Sequence, residues 1–146
     1  NKYKIRFCIH PNHKQQCVDF DDNEFVEIVS ENINYQKEFA EAALLVSDYS
    51  STPFDFAYLG KPVIYTQFDK EDFFESHTYQ EGYFNYERDG FGPVCYDYET
   101  TVQEIIKAIQ KKCKIDEIYK NRINNFFAYH DKNNCKRVHE EILKLE

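Results

Sequence analysis

The chain has 146 residues, 42% of them hydrophobic and 17% aromatic, and carries a formal net charge of −8. That composition supplies one packed core and reads as a single globular domain over residues 1–146. The acidic total argues against a nucleic-acid partner or direct attraction to anionic lipid, and no apolar run approaches the roughly 18 residues of a membrane-spanning helix.

Residues 3–9 (YKIRFCI) are β-branched and aromatic and predict a strand that Pro11 stops, leaving His10 at its carboxyl end. Residues 25–29 are apolar at alternate positions and predict a second strand. A helix follows over residues 35–43, where Tyr35, Phe39 and Ala42 recur at helical spacing. Residues 44–47 (LLVS) form a short apolar run, the pattern of a strand buried on both faces of a parallel sheet.

Ser50, Ser51 and Thr52 are good N-cap types and Pro53 suits the first helical turn, so a helix is expected from there to Gly60, with Phe54, Ala57 and Tyr58 as its inner stripe. Residues 63–66 (VIYT) give the next strand, completing a strand–helix–strand unit with a right-handed connection. Residues 67–92 are dense in aromatic and acidic side chains without a clean period and predict a long functional loop with one short helical turn. A short strand is expected within residues 93–98. Three helices follow: one capped by Thr100 or Thr101 and running to about Lys112, one over residues 115–129 and one over residues 133–145.

Alternating strands and helices specify an α/β fold, Rossmann-like, with a mostly parallel sheet flanked by helices. Such folds bind ligands outside the carboxyl ends of their strands, which places His10, residues 47–52 and the segment from Gln67 on one edge. The five cysteines (Cys8, Cys17, Cys95, Cys113 and Cys135) are odd in number and contain no Cys-x-x-Cys pair. They read as reduced thiols of a cytosolic protein rather than a disulfide framework or zinc site. A chain with no methionine that enters its first strand within two residues of Asn1 reads as a fragment of a longer protein.

The densest candidate site is Ser47-Asp48-Tyr49-Ser50-Ser51-Thr52. Unpaired N–H groups at a helix start, with hydroxyls beside them, can cradle a phosphate. One serine capping the helix would explain one hydroxyl, and the surplus favours an anion site. His10, at a strand end, suits a general base or a phosphate ligand, or is simply a polar strand terminus. His13, His77, His130 and His139 have weaker claims. Asp69, Glu71 and Asp72 read as a solvated acidic surface more readily than as a metal site, and no metal is assigned. Dinucleotide and P-loop glycine fingerprints are absent.

Five stretches together resemble the CDP-glycerol:poly(glycerophosphate) glycerophosphotransferases, which build teichoic acids and related capsule polymers: RFCIHPN (6–12), LLVSDYSSTPFDFAYLGKPVIY (44–65), FDKEDF (68–73), EGYFNYERDGFGPV (81–94) and FFAYHDKNNCKRV (126–138). The resemblance implies the C-terminal, nucleotide-binding half of a GT-B-type enzyme of two Rossmann-like halves. It implies CDP-glycerol as donor substrate, no certain cofactor, and release of CMP. It puts His10 on the family's His-Pro histidine, Ser50, Ser51 and Thr52 at the diphosphate, and Asp48 and Asp55 at orienting positions. In the tail, Asp131 and Arg137 match the family's pattern, whereas Lys132 and Cys135 stand where it has Gly and Ser. It also implies a polymer or lipid-linked acceptor held through an N-terminal half, and a cytoplasmic enzyme peripheral to the inner membrane face. Alternative readings are a GT-B glycosyltransferase domain using a nucleotide sugar, a non-catalytic interaction module docking through the loop of residues 69–86, or a structural phosphate-binding domain.

Overall fold

A computed structural model describes residues 3–30, 33–76 and 82–145. The chain divides into two compact units, Asn1–Ala42 and Ala43–Glu146. In the first, β1 (Ile5–Cys8) lies parallel to β2 (Val26–Val29), with Ile5 opposite Val26 and Cys8 opposite Val29. Ile9 continues the ladder, its N–H donating to the Val29 carbonyl at 3.0 Å, and its side chain is buried. On the exposed flank Arg6 reaches Glu38 at 3.1 Å and Glu27 at 3.6 Å, while Lys4 holds Glu27 at 3.0 Å. These partners keep the Glu27 carboxyl below the usual range, the Lys4 hydrogen bond contributing most.

Sequence periodicity assigned nothing between the two strands, yet a 3-10 helix runs there from Pro11 to Asp19 with a kink at His13. Its polar composition shows no apolar stripe, and a helix without one leaves little trace in the pattern. α1 (Tyr35–Glu41) starts at Asn34, whose side chain accepts the Lys37 N–H at 3.1 Å.

The second unit is built on a three-stranded sheet of β3 (Leu45–Ser47), β4 (Val63–Thr66) and β5 (Val94–Cys95), in that spatial order and parallel throughout. Central β4 is buried along Val63, Ile64 and Tyr65, which explains its continuous apolar run. α2 (Thr52–Tyr58) connects β3 to β4 and ends at Gly60, whose φ of +71° would strain any residue with a Cβ. Its buried positions are Pro53, Phe56 and Ala57 rather than the stripe through Phe54 and Tyr58. Those two rings are half-buried and serve a second contact: Phe54 packs on Phe84, Phe91 and Phe126, and Tyr58 on Phe127 and His130.

The stretch read as a long loop with one short helical turn contains two helices, α3 (Lys70–Ser76) and α4 (Tyr86–Asp89). Helices this short span one or two turns and hold few periodic positions, so their period is hidden among the clustered aromatics. His77 and Glu81 lie outside the described residues. α5 (Tyr98–Gln110) starts two or three residues earlier than the threonines predicted. Asp97 caps it, accepting the Thr100 N–H at 2.7 Å and the Thr100 hydroxyl at 2.8 Å. A carboxylate there serves both the hydrogen bond and the helix dipole, an advantage a threonine lacks. α6 (Glu117–Phe126) and α7 (Asn134–Leu143) complete the unit. Gly92 lies against β4, where an added Cβ would sit 1.7 Å from the Val63 carbonyl oxygen.

Candidate functional site

In the first unit His10 follows β1 directly and is the N-cap of the 3-10 helix. Its Nδ1 accepts the Asn12 N–H at 3.2 Å. An accepting Nδ1 carries no proton, so this geometry assigns the neutral ring its hydrogen at Nε2. Nε2–H is thereby oriented as a donor to an outside group. The His13 ring stands edge-on to His10, with centroids 5.9 Å apart.

In the second unit the strand ends set the site. Ser47 pairs with Tyr65, so residues 48–52 leave the sheet at the carboxyl edge beside the end of β4. Asp48 Oδ1 accepts the Ser50 N–H at 3.2 Å, and Ser50 Oγ accepts the Thr52 N–H at 3.2 Å. The hydroxyls of Ser50 and Thr52 are 3.1 Å apart. Ser51 occupies the N-cap position but makes no side-chain capping bond. The loop is therefore partly self-capped, as a structural role demands, by Ser50 rather than Ser51.

Counting protons decides what remains. Ser50 and Thr52 bring two hydroxyl hydrogens and share one bond between them, which leaves one to donate elsewhere. The exposed Ser51 hydroxyl supplies another. Two O–H donors at a parallel-sheet edge can receive an anion, although α2 has only seven residues and a correspondingly short run of aligned dipoles. Asp55 lies in the first turn of α2 and is exposed.

The loop is braced from the side by Tyr49. Its hydroxyl donates to Asp69 at 3.2 Å, its ring stacks on Phe73 with centroids 3.8 Å apart, and Tyr86 meets it edge-on. Burial, reinforced by Asp69, pushes the Tyr49 phenol well above its ordinary value and keeps it a neutral donor. Asp69 is thus a brace for the loop. Among the described residues no group of three or more His, Cys, Asp or Glu is arranged to hold a metal ion.

The two candidates in the tail are brought together. Arg137 grips Asp131 with two nitrogens, at 2.7 and 3.2 Å, and also reaches Asn134 Oδ1 at 2.8 Å. The guanidinium lies 3.7 Å from the Tyr129 ring centroid. The Arg137 hydrogen bonds, with the Asn133 N–H, hold the Asp131 carboxyl down at about 2. Tyr58, at the end of α2, donates to the Tyr129 carbonyl at 3.1 Å and stacks on His130. The segment leading into α7 is thereby pinned to the helix that follows the hydroxyl loop. His139 lies exposed on α7.

Sequence reasoning placed the segment from Gln67 on this edge but did not anticipate the burial of its first side chain. Gln67 directly follows β4, its backbone N–H continues the ladder to the Cys95 carbonyl at 2.8 Å, and its side chain is 1% exposed. Among the described residues neither carboxamide atom has a hydrogen-bond partner. An isolated glutamine in a polar stretch gives no sequence signal for burial.

The model of the CDP-glycerol:poly(glycerophosphate) glycerophosphotransferase family matches residues 1–144. The chain is 39% identical over 146 residues to the minor teichoic acid biosynthesis protein GgaB of Bacillus subtilis (strain 168), covering all of the chain and 16% of that protein. It is 31% identical over 132 residues to the teichoic acid poly(glycerol phosphate) polymerase of Bacillus spizizenii (strain ATCC 23059 / NRRL B-14472 / W23), covering 80% of the chain and 32% of that protein. A shorter match, 33% over 64 residues, covers 44% of the chain and 16% of the teichoic acid glycerol-phosphate primase of Bacillus subtilis (strain 168). The chain thus spans less than a third of the length of each of these relatives. No solved structure matches it. By a match that runs from the first strand into the last helix, the chain belongs to the CDP-glycerol:poly(glycerophosphate) glycerophosphotransferase family.

Proposed function

We propose that the chain is the donor-binding part of an enzyme that moves glycerol phosphate from CDP-glycerol onto a teichoic-acid-type polymer. The observation that carries this reading is the family match over residues 1–144. In the reaction the acceptor's terminal hydroxyl oxygen attacks the glycerol-bearing phosphorus. The bond from that phosphorus to the bridging oxygen breaks, CMP leaves with the electron pair, and the hydroxyl proton is lost. Charge builds on the bridging oxygen and the phosphoryl oxygens, so catalysis is mainly positioning and electrostatic stabilisation.

The protein groups divide this work. His10, with hydrogen at Nε2, donates to the phosphoryl group or the departing oxygen. Ser51 and the Ser50–Thr52 pair donate hydroxyl hydrogens to the diphosphate. Asp48 fixes the loop through the Ser50 N–H and does not itself touch phosphate, because like charges would repel. Asp131 and Arg137 hold the tail beside the donor, with the outer face of the guanidinium the part open to ligand.

The chain supplies most of the C-terminal, nucleotide-binding half of a GT-B-type enzyme. The acceptor, a polymer or lipid-linked chain, is supplied by an N-terminal half, and the work is done at the cytoplasmic face of the membrane. Among the described residues no helix is long and apolar enough to cross a membrane. No metal is assigned a role. Calorimetric titration tests the reading: the chain binds CDP and CDP-glycerol, Ser51→Ala weakens both about tenfold, and the chain alone transfers no glycerol phosphate. Indifference to every cytidine nucleotide would sink it, and preference for a nucleotide sugar would move the assignment to a glycosyltransferase.

A further inference from the structure

Gln67 is the one buried polar side chain in the cores described, and both of its side-chain polar atoms lack partners. Burying a carboxamide without hydrogen bonds is unfavourable, and native proteins rarely leave such a group unpaired without a use for it. Its position is at the functional edge. The Gln67 N–H bonds the Cys95 carbonyl, so the residue is still in register with the sheet. By strand alternation its side chain projects to the face that carries Val63 and Tyr65. β3 leaves the ladder two residues earlier, at the pairing of Ser47 with Tyr65, and its continuation is the hydroxyl loop. Gln67 therefore lies one strand over from that loop, at the carboxyl end of the central strand, where α/β sheets receive ligands.

We infer that Gln67 is a donor-contacting residue, whose carboxamide meets a ligand group offering a hydrogen-bond acceptor and a donor side by side. Two parts of a CDP-polyol have that chemistry. One is the cytosine edge, with its N3 acceptor next to the N4 amino group, and the other is the polyol, with hydroxyls on adjacent carbons. A carboxamide satisfies either with two bonds. Phosphate alone does not, since it offers no donor when fully ionised. The inference rests on the donor reading above and adds a residue and a specificity role to it. Because the side chain is 1% exposed, the ligand must displace what covers it. Binding therefore gains two satisfied polar atoms.

The test compares the unaltered chain with Gln67→Leu and Gln67→Glu by calorimetry against CMP, CDP and CDP-glycerol, with thermal unfolding of each ligand-free protein alongside. Leucine removes the unpaired amide, so Gln67→Leu should raise the ligand-free Tm and weaken donor binding by about tenfold or more. Loss for CMP and CDP-glycerol alike identifies the cytosine edge, and loss for CDP-glycerol only identifies the polyol. Unchanged affinity for all three ligands in both variants, with the unaltered chain binding normally, overturns the inference and leaves the donor reading standing. A lower Tm with unchanged affinity shows a buried water as the occupant and also overturns it. Failure of the unaltered chain to bind any of the three removes the donor reading, and this inference with it.

Discussion

His10 commits its Nδ1 to the Asn12 backbone N–H, and a neutral ring held so carries its hydrogen at Nε2. The Asn12 N–H on Nδ1 sets the neutral tautomer and restrains the ring, which the proposed donor role at Nε2 requires. In the full-length enzyme His10→Ala should lower kcat by about 10²–10⁴ with little change in donor Kd. Steady-state kinetics with a direct binding assay separates the two, and an unaltered kcat would remove His10 from the chemistry. At Asp131 the sign of the pH effect follows from its partners. The folded carboxyl is held at about 2, below the ordinary value of about 3.9. Its contribution to stability is thus complete above about pH 4 and is lost as pH falls through about 2. An NMR titration of the Asp131 carboxyl should give a midpoint near 2 in the parent and a higher one in Arg137→Met, still below the ordinary value because the Asn133 N–H remains; equal midpoints would show that the ion pair does not form in solution. The pair is solvent-exposed, so its service is to orient the tail more than to stabilise the fold.

The same residues behave differently once placed on their elements. α2 is short, but its ends are defined by a self-capped loop and by a left-handed glycine, and its two apolar flanks face the sheet and the aromatic cluster. In that cluster Phe91 is fully buried and packs on Phe54, Phe84, Phe126 and Phe127. The chain reaches it through Gly92, whose missing side chain lets the backbone lie against β4. Gly92→Ala would drive a Cβ into the Val63 carbonyl, a backbone group that cannot turn away. It should destabilise the fold by at least about 3 kcal/mol in urea unfolding, whereas Gly82→Ala, with nothing within 4 Å, should change it by no more than about 0.5 kcal/mol. Similar losses from both would show that the close approach at Gly92 is absent in solution. Element boundaries follow a similar logic: Asp97 replaces the predicted threonine cap because its carboxylate reaches both Thr100 donors.

For the molecule as a whole, much of the α/β order was legible in the chain. Continuous apolar runs mark β3 and β4, as a buried parallel strand requires, whereas the more exposed β1 and β2 show only β-branched, aromatic or alternating residues around Arg6 and Glu27. Helices α3 and α4 and the 3-10 helix were not legible, because segments of one to three turns, or without an apolar stripe, show no period. The family, too, was written in local motifs: the hydroxyl loop, the His-Pro after a strand and the Lys-Pro before the next. By itself the sequence determined the succession of strands along the chain and the family, and it named the side chains proposed to bind the donor, because each depends on residues close together in the chain. Tertiary structure alone decided which hydroxyls are already spent on capping, that Asp131 and Arg137 satisfy one another, and that Gln67 is buried without a partner. Those are properties of neighbours brought together by folding, and a hydrogen-bond inventory closes only when every partner's position is known.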